Sequence, residues 1–142
     1  MVLATRVVYL LPVTELETIV VQADKLFPRE ASGLLVGTTF GQFTVLTAAP
    51  TRCDDNTILS FRITTSEIAK VAASLKGSSS SIVGCFHSHV IGPARPSRTD
   101  CAALKALGDL WMIYATTPPR LNLFSWTGLS FQRERFRIVP LA

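Results

Sequence analysis

The stretch HSHVIGPARPSRTD, residues 87–100, holds both histidines of the chain, His87 and His89. Side chains two positions apart on a β-strand point to the same face, with Cα atoms roughly 6–7 Å apart. Two imidazoles in this arrangement can reach one metal ion. A catalytic zinc site typically has three protein ligands and leaves a fourth position for water. Because the chain has no third histidine, the third ligand must be a carboxylate or a thiolate.

Two residues are candidates for this third ligand. Asp100 is the nearest carboxylate downstream, in the first turn of a predicted helix that a loop with two prolines and a glycine can fold back over the strand end. Cys85 lies on the same strand face as both histidines. Plainer interpretations stay open, because the histidines can lie on an exposed strand surface, Ser97-x-x-Asp100 can be an N-cap with an acidic first turn, and a strand cysteine can be a small hydrophobe.

A hydrolytic metal site also needs a general base. Among the ten carboxylates of the chain, Glu30 stands out because Pro28 and the stretch 31–33 place it between a helix end and an apolar strand. A glutamate in that position lies at the rim of the core. The alternative is a solvated loop glutamate.

The hydrophobic pattern predicts alternating strands and helices around these residues. The first helix is predicted to start with a capping box, with Thr14 as N-cap and Glu17 three positions on, and to stop at Pro28. Two further helices are predicted at 65–76 and 97–107, the second of them starting at Ser97. Strands are predicted at 7–13, Gly33–Gly37, Gln42–Ala48, Leu59–Ile63, 81–89, 110–116, 121–126 and 129–139. This order predicts one α/β domain over residues 1–142, a mixed sheet flanked by about three helices.

The composition fits a globular protein rather than a disordered one, since 48% of the residues are apolar and 17% are charged. The three cysteines, Cys53, Cys85 and Cys101, are odd in number and form no CxxC, which favours a reducing, cytoplasmic compartment over a disulfide framework. No apolar run has the length of a membrane span, so we expect no membrane partner.

These segments together resemble the JAMM (MPN+) zinc metalloproteases. PREASGLLVG (28–37), GCFHSH (84–89) and PARPSRTD (93–100) are similar to the three motif segments of that family, and FRITTSEIAKV (61–71) to the stretch before its second helix. The resemblance covers about residues 5–139 and is closest to the stand-alone prokaryotic branch. It implies the MPN/JAB fold, a cytidine-deaminase-like architecture. Val90 stands where the family usually has proline, which affects the path of the loop rather than a ligand.

The resemblance also implies a role for each site residue. His87, His89 and Asp100 would bind one Zn²⁺, Glu30 would be the general base, and Ser97 would donate a hydrogen bond to the oxyanion of the tetrahedral intermediate. The implied substrates are ubiquitin-like or sulfur-carrier proteins, cut after a C-terminal Gly-Gly tail by isopeptide or peptide hydrolysis. Flanking basic residues could attract an acidic partner surface or simply solvate the loop and helix; they are Arg95, Arg98 and Lys105.

Three other functions compete with this one. A zinc nucleobase deaminase needs His-x-Glu and Pro-Cys-x-x-Cys, which this chain lacks. An inactive scaffold of the same fold would have lost ligands or the glutamate. A nucleic-acid module could use Arg133, Arg135 and Arg137, which alternate onto one face of the last predicted strand, but Glu134 between them favours a solvated edge strand.

Overall fold

The computed structural model of the protein describes residues 6–51, 63–96 and 108–140. These residues form one mixed sheet and two helices, which confirms the predicted α/β class. The elements are β1 (Val8–Pro12), α1 (Val13–Leu26), β2 (Ser32–Phe40), β3 (Phe43–Pro50), α2 (Thr65–Ser74), β4 (Ser80–His89), β5 (Leu110–Thr116), β6 (Pro119–Trp126), β7 (Phe131–Glu134) and β8 (Phe136–Val139). The third predicted helix, from Ser97, and nearly all of the strand predicted over Leu59–Ile63 lie outside these residues.

The strand that carries the histidines lies in the middle of the sheet, whose order is β7-β6-β5-β4-β2-β3-β1-β8. β4 pairs antiparallel with β2 and parallel with β5. The close approach of β4 to the start of β5 requires Gly84, because a Cβ there would lie 1.7 Å from the carbonyl oxygen of Leu110. With a partner strand on each side, the backbone of β4 holds its side chains in fixed directions.

The two faces of the sheet carry different cores. On one face, Ile19 and Ala23 of α1 pack in a buried cluster that includes Phe86 and Met112. On the other face a second buried cluster contains Cys85 and Trp111. Since side chains alternate along β4, both histidines share the face of Cys85, opposite to α1.

The predicted capping box of α1 is wrong. The helix begins at Val13 directly after Pro12, and no side chain caps it. Glu15 lies in the first turn, where its carboxylate accepts a hydrogen bond from the backbone N–H of Ala48 on β3 at 2.9 Å. Because β1 passes into the helix without a loop, Thr14 is already helical and cannot serve as the N-cap. Among the described helices, the capping box belongs to α2.

The capping box of α2 joins Thr64 and Glu67. The Thr64 hydroxyl accepts from the Glu67 N–H at 3.1 Å, and the Glu67 carboxylate accepts from the Thr64 N–H at 3.3 Å. Two N–H groups that the helix itself leaves without partners are satisfied in this way.

No helix among the described residues has the length and apolar character of a membrane span.

The single strand predicted over 129–139 is also wrong, because the chain breaks at Arg135 into β7 and β8. β7 pairs with β6 at one end of the sheet order, and β8 pairs with β1 at the other. We call this connection the Arg135 junction. It places Arg133 and Arg137 on different strands, so the three arginines considered for nucleic acid do not alternate along one strand.

Candidate metal centre

The two histidine rings converge at the end of β4. Their Nε2 atoms are 2.9 Å apart, and their ring centroids are 4.7 Å apart. Two nitrogens on one tetrahedral zinc, each about 2.0–2.1 Å from the metal, would be about 3.3 Å apart, so the pair is close to ligand spacing. His87 is fully buried and His89 is 7% exposed, which makes the exposed-surface interpretation wrong. The donor set therefore fits a zinc ion, and ligation itself stays a prediction.

A backbone carbonyl fixes the tautomer of His89. Its Nδ1 lies 2.8 Å from the carbonyl oxygen of Pro93. Since a carbonyl only accepts, Nδ1 must carry the hydrogen, and Nε2 of the neutral ring is left with a lone pair on the side of His87. Histidines that bind metals almost always donate their other ring N–H to a carboxylate, a carbonyl or a water in this way. The hydrogen bond to Pro93 thus gives His89 the orientation and the tautomer of a metal ligand.

Asn122 on β6 holds the loop that orients His89. Its Nδ2 donates to the Ala94 carbonyl at 2.8 Å, and its Oδ1 accepts from Nη2 of Arg133 at 2.9 Å. A carbonyl needs a donor and a guanidinium needs an acceptor, so this amide has one consistent orientation. Sequence reasoning missed Asn122. Its only signal in the sequence was an amide between two leucines, Leu121 and Leu123.

The backbone next to Glu30 is joined to β4 by a pair of hydrogen bonds between Ala31 and Ser88. The Ala31 N–H donates to the Ser88 hydroxyl at 2.8 Å, and the Ser88 N–H donates to the Ala31 carbonyl at 2.9 Å. Ser32 is opposite His87, so continuing the antiparallel register brings Glu30 opposite His89 on the same face. Glu30 is 9% exposed, which makes the interpretation as a solvated loop residue wrong.

The rival thiolate behaves as a core residue. Cys85 is fully buried and packs in the cluster that contains Trp111 and Ile113. Within the part of the chain that the structure describes, no three His, Cys, Asp or Glu side chains form a group that could hold a metal ion. Neither Cys85 nor Glu30 therefore completes a three-ligand set with the histidines, and the small-hydrophobe interpretation of Cys85 is favoured.

The remaining two predicted site residues, Ser97 and Asp100, lie outside the described residues. The described chain reaches Pro96, just beyond the Pro93–Ala94 segment that contacts His89 and Asn122. The predicted roles of Ser97 and Asp100 therefore stay predictions.

The Asn122 contact predicts a measurable effect on metal affinity. In Asn122→Asp the carboxylate still accepts from Arg133 but cannot donate to the Ala94 carbonyl, so the loop that orients His89 loses its anchor. We expect zinc affinity to fall roughly 10–100-fold, the usual cost of losing an outer hydrogen-bond partner of a ligand. Competition with a fluorescent zinc chelator measures this change. Arg133→Ala, which leaves the bond to Ala94 intact, should change affinity far less, and equal losses in both variants would contradict the role of that bond.

Residues 12–128 match the family of prokaryotic homologs of the JAB domain. No curated protein sequence matches.

Three solved structures illustrate the likeness. A protein from Desulfitobacterium hafniense superposes with a TM-score of 0.81 at 22% identity, covering 94% of each chain. A JAB1/MPN domain protein from Archaeoglobus fulgidus gives a TM-score of 0.59 at 17% identity, covering 91% of this chain and 97% of that one. A structure described as a JAMM metalloprotease-like zinc site in the proteasome and signalosome gives 0.57 at 16% identity, covering 93% and 98%. At these identities the likeness is one of fold.

Proposed function

The chain belongs to the family of prokaryotic JAB-domain homologs, and we propose on that basis that it is a zinc-dependent hydrolase of the JAMM type. The observation that carries the proposal is the histidine pair. The Nε2 atoms of His87 and His89 converge to 2.9 Å in a buried site, and the Pro93 carbonyl sets the tautomer of His89 for ligation. An inactive scaffold of the same fold would have no need for this arrangement.

His87 and His89 would bind the zinc through Nε2, and Asp100 would supply the third ligand and one negative charge. When bound, zinc lowers the pKa of water toward roughly 7 and polarises the carbonyl of the scissile amide. The apolar surroundings of the pair strengthen these electrostatic effects, because the edge of the Trp111 ring lies against His87 with centroids 5.9 Å apart.

Glu30 would act as the general base and then as the general acid. Its carboxylate would accept a proton from the attacking water and return that proton to the leaving amine. The bonds between Ala31 and Ser88 support this role, because they fix the backbone next to Glu30 against the strand of both histidines. Ser97 would donate a hydrogen bond to the oxyanion that forms on the scissile carbonyl.

The proposed substrate is a ubiquitin-like or sulfur-carrier protein, cut after its C-terminal Gly-Gly tail. His87 is fully buried and His89 is only 7% exposed. This burial supports a substrate whose backbone approaches the site without bulky side chains. An extended chain of two glycines has no side chain to exclude, and its backbone groups remain available for hydrogen bonds. A bulkier pair of residues would need the site to open further.

Zinc analysis tests the first part of this proposal. We expect the purified protein to bind one zinc ion and His87→Ala to weaken binding by more than the roughly 10–100-fold that loss of an outer partner costs. Cys85→Ala is the matched control, because it removes the rival ligand from the same strand face and should keep the metal. Full zinc retention in His87→Ala would place the metal elsewhere.

Hydrolysis is tested on a panel of ubiquitin-like proteins that carry short extensions after Gly-Gly. The zinc-loaded protein should release the extension, and mass spectrometry identifies the bond that is cut. A zinc-loaded protein that cuts none of the panel would contradict the proposed activity while leaving the metal centre in place.

A further inference from the structure

An arginine-lined cavity of about 450 Å³ lies beside the loop that follows His89. Among the residues that the structure describes, its charged lining consists of Arg95, Arg120 and Arg133, and none of these described lining residues is acidic. The apolar part of the lining includes Ala115 and Phe124. Within the described part of the chain, the cavity therefore combines guanidinium groups with an apolar wall.

Three separate parts of the fold bring these arginines together. Arg95 follows the Pro93–Ala94 segment that contacts His89 and Asn122, Arg120 lies on β6, and Arg133 lies on β7. The guanidinium of Arg133 is held by the Asn122 amide, which uses one of its five N–H donors. The cavity is thus connected through a short set of hydrogen bonds to the loop that orients the histidine pair.

The basic surface continues beyond this cavity. A second cavity, of about 740 Å³, shares Asn122 and Arg133 with the first. The described residues that line it include three more arginines and one acidic residue, namely Arg6, Arg135, Arg137 and Glu134. A surface with this excess of positive charge attracts negatively charged groups of a ligand.

We propose that the 450 Å³ cavity binds an acidic side chain of the protein substrate close to its Gly-Gly tail. The inference rests on the proposed function and adds a determinant of specificity to it. Arginine pairs with carboxylates through two parallel N–H···O bonds, and the methylene groups of a glutamate suit the wall formed by Ala115 and Phe124. Single-stranded nucleic acid is disfavoured because its bases stack on exposed aromatic rings, and Phe124 in this lining is only 9% exposed.

The position and charge of the arginines predict how their removal will change KM and kcat. Arg95 and Arg120 are exposed, so their attraction for a carboxylate is screened by salt over roughly 8–10 Å at physiological ionic strength. They do not touch the reacting bond. Their loss should therefore raise KM and leave kcat nearly unchanged, which separates substrate binding from catalysis.

The experiment uses two synthetic peptides that differ only in charge. Both contain a central Gly-Gly, flanked on each side by two glutamates in one peptide and by two glutamines in the other. Their affinity for the zinc-loaded full chain carrying Glu30→Gln, which prevents turnover, is measured by fluorescence anisotropy. We expect the glutamate peptide to bind roughly five- to tenfold more tightly, as a few partly exposed ion pairs allow, and the preference to shrink as salt rises.

The double variant Arg95→Ala/Arg120→Ala should abolish this preference. Both side chains are exposed, and Arg133 stays in place to hold Asn122, so the fold is not at risk. Lys70→Ala on α2 removes a positive charge elsewhere and should keep the preference. Equal binding of the two peptides, or an unchanged preference in the double variant, would overturn the assignment.

Two further outcomes distinguish the cavity from the activity. A glutamate preference that depends on the arginines, in a protein that cuts none of the ubiquitin-like panel when Glu30 is intact, would overturn the hydrolase and support the acidic subsite. A short single-stranded oligonucleotide could instead bind more tightly than the glutamate peptide and lose this binding in the double variant. That result would overturn the acidic subsite in favour of a phosphate site.

Discussion

Glu30→Gln is expected to keep the fold and the zinc and to reduce hydrolysis by roughly 10²–10⁴-fold. The amide has nearly the shape of the carboxylate and can still form a hydrogen bond with water, but it cannot accept the proton. Glu30 is 9% exposed, and its neighbour Ala31 is bonded to Ser88 between the two histidines. Because Glu30 would act on the attacking water and not on substrate binding, its loss should lower kcat.

Single-turnover rates and zinc content of the same preparation measure this prediction. Glu17→Gln is the matched control, because it makes the same chemical change on the exposed side of α1 and should leave both quantities unchanged. If Glu30→Gln retained more than about a tenth of the activity, below the range for a general base, another group would have to take the proton.

Ser97→Ala should slow turnover by roughly 10²–10³-fold, the range found when one oxyanion donor is removed. The same hydroxyl is the predicted N-cap of the third helix, so its loss should also lower the free energy of unfolding by about 1 kcal/mol. A loss of that size leaves nearly all of a normally stable protein folded, and cannot by itself account for the slower turnover. The variant should therefore melt slightly earlier, keep its zinc and hydrolyse far more slowly at saturating substrate.

Two companion variants separate the two roles of Ser97. Ser97→Thr keeps a hydroxyl and should recover much of the rate. Thr64→Ala removes the N-cap of α2, whose hydroxyl accepts from Glu67, and should cost similar stability with no change in turnover. Near-normal turnover in a folded, zinc-bound Ser97→Ala would leave the capping role and exclude the catalytic one.

The histidine pair could be predicted from the sequence because its geometry is local. A strand repeats every two residues, so His87 and His89 must share a face wherever the strand lies. Glu30 could be placed through the motif around it, and the register of β2 on β4 then gives it its position. Asn122 could not be predicted, because its contacts with Ala94 and Arg133 join segments that meet only in the folded sheet.

Two predictions were wrong, the capping box at Thr14 and the single strand over 129–139. Both depended on local sequence patterns, whereas contacts between distant strands decide the structure at these two places. Thr14 and Thr64 are both followed three positions later by glutamate, but only Thr64 precedes the first turn of its helix as an N-cap with extended backbone. At Thr14 the preceding strand, β1, runs directly into α1, and the Glu15 carboxylate accepts a hydrogen bond from Ala48 of β3. The break at Arg135 is equally invisible, since alternation of side chains continues through it while the strand pairing changes completely.

The Arg135 junction has a consequence for how the protein folds. β8 can form only when Phe136–Val139 meets Val8–Pro12, so residues from opposite ends of the described chain must find each other. Such distant pairings carry a large loop-closure entropy and are typical of slow folding, roughly in the millisecond-to-second range for β-rich topologies. Because one residue links β7 to β8, the pairing of β7 with β6 brings the start of β8 to the same place. The two margins of the sheet should therefore form cooperatively, as a late step that completes the domain.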